Sequence, residues 1–386
     1  MLHQVVGGVG RAMKLLAVAG DIHSLIADIR LVTPLQALVR AHGGSLVLRS
    51  LHDCSRADLA AADVMVLQRG ASRRAFMLQQ AMRQRGGAVV AEFDDLLTDL
   101  PAHISHQAAL QAQRPWVQRC LVEADAVSVS TARLGRELGL VNACVVPNGA
   151  FDSANTLVPA ARPDEPVSLL LVSMDHLAAP WLLPALCAVQ GAGVQIVAVG
   201  PAAAGLAAAG LKVIAHPLMP RPQFIDFVRS LPNPLALIPL EDSRFAACKS
   251  AIKWFDYGEA GVPVLCSDVD PYRAVIESDV TGCLVANHSA AWEQALRRAL
   301  ADTAWRARMA AAARRVVRQR HTLDHTVCAW QAALAVAQLG RAGAVLASPT
   351  AGWRLQAAVL RAWEPAALRL RAFNRTRLAR RQQARR

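Results

Sequence analysis

Lys249 and Lys253 stand four residues apart in the stretch Cys248–Arg273, "CKSAIKWFDYGEAGVPVLCSDVDPYR". The 386-residue chain otherwise uses arginine for nearly every cation: of 42 basic residues only Lys14, Lys212 and these two are lysine. Both tyrosines of the chain, Tyr257 and Tyr272, fall in the same stretch. An ammonium is a compact point charge that suits phosphate oxygens, where guanidinium is a planar fork. "SAIKWFDYGEAG" predicts a helix that opens near Ser250 and ends at Gly261, with Pro263 starting the next strand. Lys249 sits at its N-terminal edge, and Lys249, Lys253 and Asp256 share one face. The exposed N–H groups of a helix start favour an anion, and two ammonium groups beside them strengthen that preference. A carboxylate one turn further on accepts hydrogen bonds from sugar hydroxyls, so the face describes a receptor for a nucleotide-sugar. The spacing alone also describes an ordinary helix with an (i, i+3) ion pair and a solvated lysine. Trp254 and Tyr257 read as packing residues.

The elements that must position this helix alternate along the whole chain. Strand-length apolar runs occur at 14–20, 45–50, 63–68, 88–94, 125–130 and 143–149, separated by helical patterns. Those patterns include a helix over Ser72–Gly86 and a long one near 105–124. An irregular stretch, Phe151 to Pro166, interrupts the series, which restarts with runs at 167–173, 194–200, 211–216, 234–240 and 262–268. Helices dominate from 288 to 339. Alternation of this kind implies parallel sheets covered on both faces, and two series imply two doubly wound domains facing a cleft. The expected division is 1–150, a linker at 151–166, 167–340, and a basic tail at 341–386.

Ligands of such sheets bind beyond the carboxyl ends of the strands. That rule selects Asp21, Arg69, Asp94, Asp95, Asn148, Ser173, Glu241, Asp242 and Asp268. Asp94 and Asp95 either orient an acceptor hydroxyl or cap a helix. Gly20 and Asp21 end the first strand, where backbone must come close to a ligand. Asn148 and Gly149 form the turn into the second half, and Gly149 suits positive φ. His23 reads as a surface residue and Arg30 as either a solvated helical arginine or a contact to an acceptor phosphate.

Composition narrows the class. No run of about 18 apolar residues is present, the length a spanning helix needs. The opening "MLHQVVGGVGRAMKLLAVAG" reads as a structureless lead into a first strand and not a signal peptide, which makes Met13 the expected start. The eight cysteines are scattered, with no C-x-x-C pair and no histidine at metal spacing, so reduced thiols in a cytoplasmic protein are expected. The net charge of +13 is concentrated: residues 353–386 hold ten arginines against one acid, Glu364. That segment sets arginines beside Trp, Leu and Phe, a pattern that lies on anionic lipid or packs back as a terminal helix. Nucleic acid fits the charge but not the slight aromatic interleaving.

The lysine segment resembles the donor-binding signature of GT-B glycosyltransferases, especially family 4-like bacterial enzymes that build surface polysaccharides. Their pattern, roughly K-S-x-I-K-x-x-E-Y-x-x-x-G-x-P-V-x-x-S-x-x-x-P-Y-R, is matched at Lys249, Ser250, Ile252, Lys253, Asp256, Tyr257, Gly261, Pro263, Val264, Ser267, Pro271, Tyr272 and Arg273. "VTGCLVAN", "FDDLLTDLP", "ADAVSVST" and "VVPNGAFD" are similar to further family segments in the same order across about 60–330. The resemblance implies two Rossmann-like domains. The second would bind a nucleotide-sugar and the first a glycan or lipid-linked acceptor, with retention of configuration and neither metal nor cofactor.

Carried over, Lys249 and Lys253 stabilise the leaving diphosphate, Asp256 contacts the ribose, and Ser250, Ser173 and Asp268 belong to the donor side. Two departures accompany it. Cys248 holds the position of the first glutamate of the family's E-x7-E pair, and the R-x-x-x-x-K expected after "LLLVS" is absent, leaving only His176 there. Asp268 and Asp270 form a D-x-D string of the sort that holds a metal in the other glycosyltransferase fold, but none is expected here. The alternatives are a non-catalytic nucleotide-sugar-binding subunit and a sugar-nucleotide epimerase on the same fold.

Overall fold

The computed structural model describes residues 12–104, 107–150, 162–173, 179–191 and 193–347, without the side chains of 342–347. His176, most of the 151–166 linker and the basic segment 353–386 lie outside the described residues. Two all-parallel sheets of six strands form the frame. The first contains β1 (Lys14–Ala19), β2 (Ser45–Ser50), β3 (Val64–Gln68), β4 (Ala88–Phe93), β5 (Ala126–Val129) and β6 (Cys144–Val145), in the order β2-β1-β3-β4-β5-β6. The second contains β7 (Val167–Val172), β8 (Val194–Val199), β9 (Val213–His216), β10 (Pro234–Ile238), β11 (Val264–Ser267) and β12 (Cys283–Val285), in the order β12-β11-β10-β7-β8-β9. Central strands such as β4 and β10 are buried at every residue. They read as unbroken apolar runs because helices cover both faces of the sheet.

In the first half α1 (Leu25–Ala27) runs through a π turn, Asp28–Val32, into α2 (Thr33–His42). α3 (Arg56–Ala61), α4 (Arg73–Gln84), α5 (Gln107–Gln111), α6 (Arg114–Val122) and α7 (Ala132–Glu137) follow. Polar side chains start several of them: Ser72 accepts from Ala75 N–H and Thr131 from Leu134 N–H, which satisfies donors the helix leaves open. The second half carries α8 (Leu182–Val189), α9 (Ala202–Ala208), α10 (Arg221–Ser230), α11 (Arg244–Ala247), α12 (Ile252–Ala260), α13 (Ser289–Ala301), α14 (Thr303–Arg320) and α15 (Leu323–Ala347).

Three expectations change. The long helix near 105–124 is two pieces, α5 and α6. Pro115 lies in the first turn of α6 and has no N–H with which to continue the preceding ladder. The strand expected over 143–149 shrinks to β6, because Pro147 cannot donate to a ladder. The third concerns the domain boundary at 340. Val327, Trp330, Ala333, Leu334 and Ala337 of α15 are packed with Leu15, Ala17, Leu31 and Leu35 of the first half. Trp330 also donates from Nε1 to the Arg30 carbonyl at 3.2 Å. Each buried valine or leucine among them contributes about 1.5–3 kcal/mol. The last described helix therefore completes the first core, and the passage into it runs beside the outward one: Ala150 N–H donates to the His321 carbonyl at 2.7 Å.

Candidate functional site

Chain order reverses direction between β1 and β3 in the first sheet and between β7 and β10 in the second. Loops leaving strands on either side of such a point part company and leave a crevice. Residues from both crevices line one cleft of about 380 Å³: Arg69 and Asp94 from the first sheet, and Val172, Ser173, Leu240 and Glu241 from the second. Lys249, Lys253, Ser250, Asp256, Asp95 and Asn148 line it too, so most of the residues singled out in the sequence meet there. Asp21, Gly20, Gly149, Asp242 and Asp268 do not.

The two lysines differ. Lys253, in the first turn of α12, donates from Nζ to the Val172 carbonyl at 2.8 Å, at the carboxyl end of β7. Burial pushes its pKa down to about 8, and the charge of Lys249 pushes the same way. Lys249 lies in the turn between α11 and α12. Its Nζ is 3.2 Å from Asp95 Oδ1 of the opposite lobe and 4.3 Å from the centre of the Phe245 ring. The helix opens at Ile252 and stops at Gly261 in the left-handed region, as its sequence implies. No side chain caps its start, at Ala251.

On the first-lobe wall Arg69 takes a left-handed φ of 48° and holds both neighbouring acids, Asp94 at 2.8 Å and Asp95 at 2.7 Å. Burial pushes the Asp95 carboxyl up, but Lys249 and Arg69 together hold it below its ordinary value. Asp94 and Asp95 thus serve neither as helix caps nor as lone carboxylates. Arg30 is not a solvated helical arginine: it is 1% exposed and donates to Glu92 at 2.7 Å, to the Val146 carbonyl at 2.7 Å and to Asn148 Oδ1 at 2.7 Å. Asn148 is held in the wall by that bond.

Asp256 makes no (i, i+3) pair with Lys253. Arg221, at the start of α10, grips both of its oxygens, with Nε 3.0 Å from Oδ2, and also donates to the Gly149 carbonyl at 2.7 Å. Gly149 does not take positive φ. Glycine is required there because a Cβ would lie 2.8 Å from the Thr322 carbonyl of the returning chain. Gly20 faces open space, and Asp21 accepts from His23 N–H at 2.9 Å within the turn that ends β1. Asp268 pairs with Arg273 at 2.7 Å in an exposed position. Cys248 is fully buried against first-lobe residues such as Phe93 and Leu134, and its carbonyl accepts from the Thr131 hydroxyl at 2.9 Å. Burial pushes its thiol up to about 11. Among the described residues no group of three or more His, Cys, Asp or Glu is arranged to hold a metal ion, and no helix is long and apolar enough to cross a membrane.

Two titratable lining residues escaped the sequence reading, Arg221 and His103. Arg221 follows Pro220 at a helix start, a usual place for a surface cation. Its role is set by Asp256, 35 residues away. His103 sits in the turn after Pro101, its Nδ1 3.7 Å from Glu241 Oε2 across the gap.

Residues 235–332, the α11–α12 region and the helices after it, match a family model described as "Glycosyl transferase-like". No curated protein sequence matches the chain. Among solved structures, sucrose-phosphate synthase from Thermosynechococcus elongatus superposes with a TM-score of 0.64 at 16% identity, over 85% of this chain and 100% of that one. HepE of Anabaena, in complex with UDP and glucose, gives 0.56 at 16% identity, over 84% and 99%. A glycosyltransferase from Rickettsia africae gives 0.56 at 12%, over 84% and 98%. Two six-stranded parallel sheets facing one cleft, superposing on these structures over most of the chain, make this a GT-B fold.

Proposed function

We propose that the protein is a glycosyltransferase that moves a sugar from a nucleotide-sugar donor to a hydroxyl of a glycan or lipid-linked acceptor. One observation carries the reading: Lys253, a half-buried cation at the switch point of the second sheet, hydrogen-bonds a neutral carbonyl and stands near a second ammonium. Holding two positive charges in such a place costs free energy that a diphosphate would return. Complexes of HepE with UDP-glucose support the choice of donor class.

In the mechanism the donor diphosphate lies against Lys253, Lys249 and the uncapped start of α12. The acceptor hydroxyl approaches from the face the diphosphate leaves, and a diphosphate oxygen takes its proton, so the anomeric configuration is retained. The chain's task is to stabilise the charge that develops on the leaving group. No metal or cofactor is assigned a part: these fixed cations take the place of a metal at the diphosphate. Lys249 reaches the diphosphate by leaving Asp95, which then faces the acceptor. Residues 353–386, rich in arginine, hold the enzyme to anionic lipid on the cytoplasmic face, where a lipid-linked acceptor is found.

The test is release of nucleoside diphosphate from UDP-, GDP-, dTDP- or ADP-sugars in the presence of acceptor, after a thermal-shift screen has chosen the donor. Lys253→Ala is expected to abolish release in a folded protein. Full turnover by that variant removes the site assignment, and release in neither protein favours a non-catalytic binding subunit.

A further inference from the structure

We infer that Glu241 is the carboxylate that recognises the hydroxyls of the donor sugar, in place of the one absent at Cys248. The inference rests on the donor reading above.

Sugar hydroxyls are bound most strongly by a carboxylate, through charge-assisted hydrogen bonds. The cleft wall carries four carboxylates among the described residues: Asp94, Asp95, Asp256 and Glu241. Arg69 holds Asp94 and Asp95, Lys249 adds to Asp95, and Arg221 grips Asp256 through both oxygens. Position 248 contributes nothing, its thiol being sealed in the first-lobe apolar cluster. Glu241 is the carboxylate without a guanidinium or ammonium on it: Oε1 accepts from the Ser243 hydroxyl at 2.9 Å, and Oε2 is 3.7 Å from the His103 ring.

Its placement is fixed by the strand end. Leu240, the residue before it, donates its N–H to the Ser267 hydroxyl at 2.8 Å and accepts at its carbonyl from Asn287 at 2.8 Å. Ser243 in turn caps α11, accepting from Ala246 N–H at 3.1 Å, so the hydroxyl that touches Glu241 is itself held. A carboxylate anchored on both sides in this way is preorganised.

Its position also fits the donor. β7 and β10 are neighbours with Leu171 opposite Leu237, and Lys253 is tied to the last residue of β7. Glu241 lies three residues past the end of β10, a reach of at most about 10 Å on a strand about 4.8 Å away. A sugar joined to a diphosphate at Lys253 falls within that reach. Its hydroxyls then lie between Glu241 and His103, one from each lobe, so the sugar is read by both lobes at once.

The experiment compares wild type, Glu241→Gln and His103→Ala by calorimetric titration with UDP, GDP, dTDP and ADP and with their glucose conjugates. Melting temperatures control for folding. The preference of wild type for the best conjugate over its own nucleoside diphosphate is expected to fall roughly tenfold to hundredfold in Glu241→Gln. Affinity for the bare diphosphate should stay within about twofold, and His103→Ala should show a smaller loss of the same kind. A Glu241→Gln protein that keeps the wild-type preference, or loses affinity for bare diphosphate in equal measure, overturns the assignment and leaves the donor reading standing. Wild type that binds none of the eight compounds overturns the donor reading and this assignment with it.

Discussion

Each lobe carries a buried arginine–carboxylate pair at the cleft wall, and the two pairs are built differently. Arg30 and Glu92 are paired within the first lobe, and Val146 and Asn148 of the same lobe accept from Arg30 Nη1. Arg221 and Asp256 reach outward to Gly149, where the chain passes between lobes. The charges on the walls differ in the same sense. First-lobe acids are matched by Arg69, whereas Lys253 of the second lobe has a carbonyl for company. A wall whose charges are satisfied supplies shape, and a wall with a charge left over supplies binding.

The contrast is broken most forcefully at Arg30. Arg30→Met leaves Glu92 buried without its cation and is expected to cost about 3–5 kcal/mol of stability, read by urea denaturation. A loss under about 1 kcal/mol would mean that the first lobe does not depend on this pair. Next comes Lys253→Ala, for which turnover of the donor should fall roughly a hundredfold, about 3 kcal/mol of barrier, without a lower melting temperature. Unchanged turnover would put the leftover charge outside catalysis.

The pH dependence sharpens the same point. With Lys253 held down to about 8, kcat/KM should fall about tenfold per pH unit above that value, because the free enzyme loses the proton that holds the diphosphate. Stability should move the other way. Between about 8 and the ordinary 10.5 the native state binds fewer protons than the unfolded chain, so stability rises with pH across that window. Lys253→Met should remove the rise, and a variant with the wild-type slope would assign it to another group. Asp268→Asn is the smallest change: an exposed pair with Arg273 is worth about 0–1 kcal/mol, and donor affinity should stay within about twofold.

Sequence made the frame legible because strand-length apolar runs and helical periods are local signals. The lysine helix was legible for the same reason: Ser250, Gly261 and Pro263 mark its limits within 14 residues. What stayed hidden depends on pairs far apart in the chain. Arg30 finds Glu92 at a separation of 62 residues and Arg221 finds Asp256 at 35, so two arginines that look solvated become buried. Gly149 was singled out correctly for its residue type but not for its reason, since crowding by Thr322 belongs to the returning chain and not to the local turn. Glu241 was noted as a strand-end residue. Its chemistry emerges when the other three carboxylates of the cleft are seen to be taken.

The return of α15 to the first core has a consequence for how the molecule is made. As the polypeptide leaves the ribosome, residues 14–145 emerge with the hydrophobic seat for Trp330 and Leu334 unfilled, and it stays unfilled until nearly two hundred further residues have been translated. The second lobe is complete before the first, so it folds as a finished insert within an unfinished host. A nascent chain stalled before residue 323 should therefore expose a sticky first lobe to chaperones and proteases beside a protected second one.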